Sequence, residues 1–317
     1  MNYHDPRIKG IIFILITTFI WGFQAIVLKL ATNLIDSANI AWFRFVIAFS
    51  LLFIYYAVKK PTYLKILKKP PLYLVFAAFG LAVNYLAFNY GIQYTSPNIA
   101  VLVIQLGPIS LGLAGFFLFK EKISYRQAFG YLLAGAGLLL FYFENLSQQK
   151  GDSGLFSLGV LLIVISALGW AVFAFFQKVL TKTYPPGQLN LVVFGLPVLL
   201  LAPFIKLDGF IGLSPLAWAL LIYLGLNTLV AYGFLALALK HLEASKISVM
   251  ITINPIITFV TMGILTFIEV SWIEPEVFTL KIIVTALIVL AGTILAVVFA
   301  KPEKQRDVRG FLKRNRK

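Results

Sequence analysis

Residues 70–119 pass without a single Asp, Glu, Lys or Arg. A stretch like that cannot form a water-facing surface. A helix needs only about 20 residues to cross the hydrocarbon core of a bilayer, so this stretch is long enough for two crossings. Shorter charge-free stretches follow the same pattern at 10–28, 45–58, 127–143, 153–177, 183–205, 209–239, 247–268 and 282–300. Over the whole chain 60% of residues are hydrophobic and 12% charged, against about 25% charged in a soluble domain. An ordinary soluble enzyme and a disordered chain are both excluded. There is no cysteine, which removes disulfide scaffolds, iron–sulfur clusters, thiolate zinc sites and cysteine nucleophiles. The two histidines, His4 and His241, lie far apart in sequence, so no metal site and no cofactor is expected.

The turn-forming group Thr95–Ser96–Pro97–Asn98 divides the long stretch in two. The shortest, 45–58, extends back to Ser37 if Arg44 is tolerated. The fold class read from this pattern is an all-α polytopic membrane protein of ten transmembrane helices, at 9–29, 37–58, 72–94, 98–119, 125–143, 157–178, 188–205, 215–239, 246–268 and 279–300. Basic residues orient it, because loops on the cytoplasmic side carry an excess of Lys and Arg. With both termini inside, every one of the 27 basic residues except Lys29, Arg44, Lys150, Lys206 and Lys281 faces the cytoplasm. An added or missing helix would flip every later loop and destroy that asymmetry. The first apolar stretch is too long for a signal-peptide core and has no cleavage site after it, so it is read as a retained helix.

The chain is also internally repetitive. Gly10, Trp21 and Lys29 align with Gly159, Trp170 and Lys178, all at an offset of 149. Pro108 aligns with Pro255 and Tyr85 with Tyr232 at 147. Glu121 with Glu269 and Gly135 with Gly292 follow at slightly larger offsets. Two five-helix repeats result, 8–143 and 157–300, followed by a basic tail, 301–317. Five is odd, so the second repeat enters the membrane upside down. Inverted repeats are characteristic of secondary transporters, whose site lies near the midplane between the halves.

Trp21–Gly22–Phe23 within the first span, Arg44 in the second, the short hairpin before Pro108 and the segment Leu118–Ser124 together resemble the drug/metabolite transporter superfamily, specifically its EamA-type ten-helix members. Trp170, Pro255 and Phe267–Ile268–Glu269 repeat the pattern in the second half. The resemblance implies an inner-membrane carrier of small metabolites such as amino acids, commonly an exporter, with a cavity lined by helices 1, 3, 4, 6, 8 and 9. A channel or a non-transporting receptor on the same scaffold is the competing reading. No catalytic constellation or nucleotide-binding loop is visible, so the chain is not expected to be an enzyme.

Polar residues inside spans are the candidates for a substrate site. Arg44 is the one charge well inside a span, roughly 10 Å deep at 1.5 Å per residue. It would meet a substrate carboxylate, or else snorkel outward or bind backbone carbonyls. Asn98, Gln105 and Gly112 recur every seven residues on the fourth span, and Ser245, Ser248 and Thr252 form the matching stripe on the ninth. Asn84, Tyr85 and Asn89 sit on the third span, Asn227, Thr228 and Tyr232 on the eighth, and Trp21 with Gln24, and Trp170 with Ser166, on the first and sixth. Interhelical hydrogen bonding is the competing role for each. Pro108 and Pro255 each delete a backbone donor and are read as hinges or static kinks. Glu121 and Glu269 end spans 4 and 9, where they pair with a neighbouring cation or couple transport to protons; without either coupling, transport is facilitated diffusion. The small-residue stripes Gly130–Ala134–Gly137 and Gly292–Ala296–Ala300 are read as helix packing. The expected partners are a small-molecule substrate and the lipid bilayer, with self-association left open. No nucleic acid is expected, because the basic residues cluster in short loops and in the tail beside an anionic leaflet.

Overall fold

The computed structural model describes residues 6–111, 124–148 and 151–299, with the backbone alone at 244 and 245. Glu121, Gly112, Ala300 and the tail 301–317 lie outside the described residues, as does the side chain of Ser245. The helices are α1 (Pro6–Thr32), α2 (Ser37–Lys59), α3 (Leu72–Tyr94), α4 (Pro97–Leu111), α5 (Tyr125–Ser147), α6 (Ser153–Leu180), α7 (Pro186–Leu201), α8 (Pro215–His241), α9 (Ala244–Ile251 continued by Asn254–Phe267) and α10 (Leu280–Val298). Among the described residues nine helices are long and apolar enough to cross a membrane, and Pro97–Leu111 is a shorter apolar helix. In hydrocarbon every backbone polar group needs an internal partner, which is why these apolar stretches become helices.

Local chemistry sets the helix starts. Asp36 accepts from the N–H groups of Ala38 and Asn39, and Asp152 from those of Gly154 and Leu155. Ser96, Ser124, Ser214 and Thr279 each accept from the N–H three residues on. Each side-chain oxygen satisfies a donor that the helix itself leaves free. The lateral faces are apolar and exposed, with Phe19, Ile54, Leu132, Leu139 and Phe143 among the outward residues.

The helix pairings come in exchanged sets. α3 packs along α6 as α1 packs along α8, α2 crosses α8 as α7 crosses α3, and α5 lies against α10. Side chains repeat the exchange. Lys29 Nζ donates to the carbonyls of Ile92, Gln93 and Thr95 at 3.2, 2.9 and 2.6 Å. Lys178 Nζ donates to those of Leu239 and Leu242 at 2.8 and 2.6 Å. Ser166 Oγ donates to the Asn84 carbonyl, and Thr17 Oγ1 to the Ala231 carbonyl. These are the positions related by the sequence offsets of 149 and 147.

The glycines of α5 and α10 differ in how closely they pack. Gly135 has open space where a side chain would be, whereas a Cβ on Gly130 would meet Ala296 and the Gly292 carbonyl, and a Cβ on Gly292 would meet Ala134 and the Gly130 carbonyl. The backbones of α5 and α10 therefore touch at Gly130 and Gly292.

Candidate functional site

Arg44 lies in the first half of α2, a helix that packs against α3, α7 and α8. It is 1% exposed and does not snorkel. Its Nε donates to Thr228 Oγ1 at 3.0 Å and one Nη to the Tyr85 hydroxyl at 3.4 Å. Its guanidinium carbon stands 4.4 Å from the centroid of the Tyr85 ring. Thr228 passes its own proton to the Leu224 carbonyl at 2.9 Å, leaving its oxygen free to accept. Every group holding the guanidinium is neutral, and among the described residues no carboxylate pairs with it. A buried cation without a counter-ion is costly, so in a membrane protein it is the first candidate for a functional site.

Arg44 lines a pocket with Trp21, Gln24, Asn84, Tyr85, Gln105, Pro108, Trp170 and Tyr232. These candidates come from α1, α2, α3, α4, α6 and α8, so the tertiary structure brings together residues spread over more than 200 positions of sequence. Trp21 meets Tyr232 edge-on at 5.3 Å, and Tyr232 lies 5.7 Å from Tyr85, making one continuous aromatic wall. Asn84 also ties α3 to α6, donating to the Ser166 carbonyl and hydroxyl at 3.0 and 2.8 Å.

Two pocket residues were not among the leading candidates. Asn89 appeared only as a member of the α3 polar set, and Asn254 was masked by its neighbour Pro255. Both are buried and line the pocket, and the Oδ1 of each is buried without a hydrogen-bond partner. Gln24 Oε1 and both amide atoms of Gln105 are likewise unpartnered. Buried polar atoms without partners are few in native proteins, so their gathering around one pocket is informative. An amide one residue before a mid-helix proline was the available signal for Asn254.

Both helices carrying the prolines are broken there. α4 is interrupted by a turn at Ile104 and Gln105, and α9 by one at Thr252 and Ile253. The Gln105 N–H turns to the Leu102 carbonyl and the Thr252 N–H reaches the Val249 carbonyl, tightened bonds at equivalent positions. Pro108 and Pro255 each lack the N–H that would bond the residue four before, Ile104 and Ile251. Both isoleucines border the pocket, where an irregular backbone is tolerated in a membrane.

Other candidates fall elsewhere. Asn98 is at the start of α4, roughly 10 Å along the helix from Gln105, and its N–H donates to Glu276 Oε1 at 3.0 Å. Asn227 is buried on α8, with both amide atoms unpartnered, outside the pocket. Ser248 and Thr252 are buried but off the lining, and the Thr252 hydroxyl folds back to the Val249 carbonyl at 2.6 Å. The break in α9 displaces the stripe that regular spacing had aligned with Gln105. Pro255 is buried beside Asn254 and does not line the pocket itself. Glu269 is exposed just past the end of α9 with φ +51°, a left-handed residue closing the helix, and borders a separate recess with Thr266 and Val270.

A polytopic helical bundle with a buried, unpaired arginine in a polar and aromatic pocket defines a membrane protein that handles a small solute. The sequence model of the EamA-like transporter family matches residues 8–143 and 157–298, and the chain belongs to that family. It is 31% identical over 292 residues to an uncharacterized transporter of Haemophilus influenzae, covering 91% of this chain and 94% of that one. It is 30% identical over 293 residues to the uncharacterized inner membrane transporter YhbE of Escherichia coli K12, covering 91% of each. A protein of the same strain named "Probable amino-acid metabolite efflux pump" is 25% identical over 272 residues, covering 82% of this chain and 87% of that one. A crystal structure at 16% identity shares the fold with a TM-score of 0.65, covering 93% of this chain and 99% of that one. The chain is a multi-pass membrane transporter.

Proposed function

We propose that this transporter is a secondary carrier of the inner membrane that exports small carboxylate-bearing metabolites, amino acids foremost, by alternating access between two inverted five-helix halves. One observation carries the substrate reading: the guanidinium of Arg44 faces the pocket with no carboxylate among the described residues to neutralise it. A substrate carboxylate supplies that counter-charge in a site of low dielectric, where the attraction is strong. The exchanged helix pairings and the matched breaks in α4 and α9 support two halves that rock about the pocket. The YhbE name supports the inner membrane, and the name of the amino-acid metabolite efflux pump supports both the solute class and the direction.

The test is transport in liposomes. A carrier shows saturable uptake accelerated by substrate on the far side; a channel shows conductance, and a receptor neither. Arg44→Gln should raise KM for a carboxylate substrate at least tenfold while sparing counterflow at saturation. Arg44→Lys should restore it only in part, because lysine lacks the planar two-pronged donor. Unchanged KM in both variants, at matched membrane abundance, sinks the carboxylate reading.

A further inference from the structure

Two helix pairs face each other across the pocket. α1 lies along α8, and α3 along α6. Trp21, Gln24 and Tyr232 come from the first pair, and Asn84, Tyr85 and Trp170 from the second. Direct packing between the pairs, of α1 on α3 and of α6 on α8, is slight by comparison. A lysine bridges them at each end. Lys29, in the last turn of α1, donates to the Ile92, Gln93 and Thr95 carbonyls at the end of α3. Lys178, in the last turn of α6, donates to the Leu239 and Leu242 carbonyls at the end of α8. The two bridges lie at opposite ends of the bundle. A Cβ on Gly10, near the start of α1, would touch Leu242. Lys29 is near the other end of the same helix, roughly 28 Å away at 1.5 Å per residue, close to the thickness of the hydrocarbon core.

We propose that Lys29 and Lys178 are the latches of an outer and an inner gate, and that each half-cycle opens one while the other stays closed. The inference rests on the alternating-access reading and names the contacts that change in it. A carrier that opens to one face must part the walls of its pocket there. Neither pair parts easily within itself. Thr17 Oγ1 ties α1 to the Ala231 carbonyl, Ser166 Oγ ties α6 to the Asn84 carbonyl, and a Cβ on Gly80 would meet the Gly169 carbonyl. The parting therefore falls between the pairs and breaks the lysine bridge at that face. The bridge is suited to breaking. The last carbonyls of a helix have no partner inside it, and the helix dipole favours a cation beside them. While the mouth is shut, the ammonium satisfies them. When it opens, water reaches both the carbonyls and the ammonium, so neither is stranded and the latch can close again. A greasy contact in the same place would expose apolar surface instead. Each pair holds one helix of each repeat, so the two latches are equivalent devices on opposite faces.

Sided labelling of the full chain tests this, because the native sequence has no cysteine. Ala25→Cys places a thiol on the pocket wall. Its alkylation by a membrane-impermeant maleimide is measured in intact cells for outer access and in inverted membrane vesicles for inner access. Lys29→Met should raise the outer-to-inner ratio of rates about tenfold, the weight of a lost hydrogen bond from a charged group. Lys178→Met should lower it by a similar factor. The double variant should return the ratio toward the parental value, because independent losses add and these two oppose. Lys29→Arg and Lys178→Arg keep a charged donor and should shift the ratio far less. Where a Met variant does not reach the membrane, Lys29→Gln or Lys178→Gln takes its place and should shift the ratio in the same direction. A ratio that stays fixed, or moves the same way in both single variants, overturns the latches and marks the lysines as static helix caps. Counterflow by the cysteine-free protein is measured alongside. Counterflow with an unresponsive ratio leaves the carrier reading standing without the latches; no counterflow means that the carrier reading falls and takes them with it.

Discussion

Glu276, in the long segment between α9 and α10, reaches across to α4 and accepts the backbone N–H of Asn98 at 3.0 Å. Its own N–H donates to Thr266 Oγ1 at 3.1 Å, so Glu276 ties the segment to both α4 and α9. Lys29 and Glu274 share the recess beside it. Burial pushes the Glu276 carboxyl above its ordinary value, against the opposing pull of the Asn98 N–H, the Ser96 hydroxyl and Lys29.

The sign of the pH effect follows. In a released segment the carboxyl returns to about 4.3, so the fastened state holds the proton more tightly. Fastening is strongest at low pH and weakens as pH rises through the raised value. Ile273, within this segment, is buried against Ile26 and Met262. An Ile273→Cys thiol should therefore be alkylated faster as pH rises from 5 to 7.5, measured relative to an exposed Leu280→Cys reference that corrects for thiolate formation. Glu276→Gln should flatten the ratio. A ratio independent of pH in the protein carrying Glu276 would show that its proton does not control the contact.

Gln105 and Thr252 occupy matching positions at the two helix breaks but differ in access to the pocket. Gln105→Leu should raise KM by about tenfold, as one lost hydrogen bond to a buried group would. Thr252→Val should leave KM within about twofold. Equal effects from the two variants would mean that both residues act through packing.

Restoring the missing donors tests whether the breaks move. Pro108→Ala and Pro255→Ala let the Ile104 and Ile251 carbonyls regain helical partners. If the breaks are hinges, each variant should lower the transport rate severalfold at nearly constant KM. A rate that stays at its original level would mark the prolines as static kinks.

Gly130 and Gly292 bring two backbones into contact. Gly292→Val places a branched side chain against main-chain atoms that cannot yield by rotamer change. A loss of about 1–3 kcal/mol, the usual cost of overpacking, should appear as a lower melting temperature in detergent. Gly135→Ala, in open space, should have no such effect.

Orientation is open to direct labelling, since the native chain has no cysteine. A cysteine at Lys65, exposed between α2 and α3, should react with a membrane-impermeant reagent only after the cell is opened. Reaction from outside would reverse the proposed topology.

The long charge-free stretches determined a helical membrane protein, because a backbone in hydrocarbon has almost no other way to satisfy its polar groups. Offsets of 149 and 147 pair Lys29 with Lys178 and Pro108 with Pro255, and at both pairs the structure has similar local features, lysine bonds to carbonyls and a turn before the proline. Arg44 stood out in the sequence as well, charge inside a span being rare. What sequence could not decide was which polar residues share a pocket. Regular helical spacing aligned Thr252 and Ser248 with Gln105, but a proline-induced turn breaks the period and puts Asn254 on the lining instead. Whether Arg44 snorkelled or faced inward depended on Thr228 and Tyr85, which come from other helices. Such choices are made by how helices cross, and crossing is a property of packed surfaces that no single segment carries.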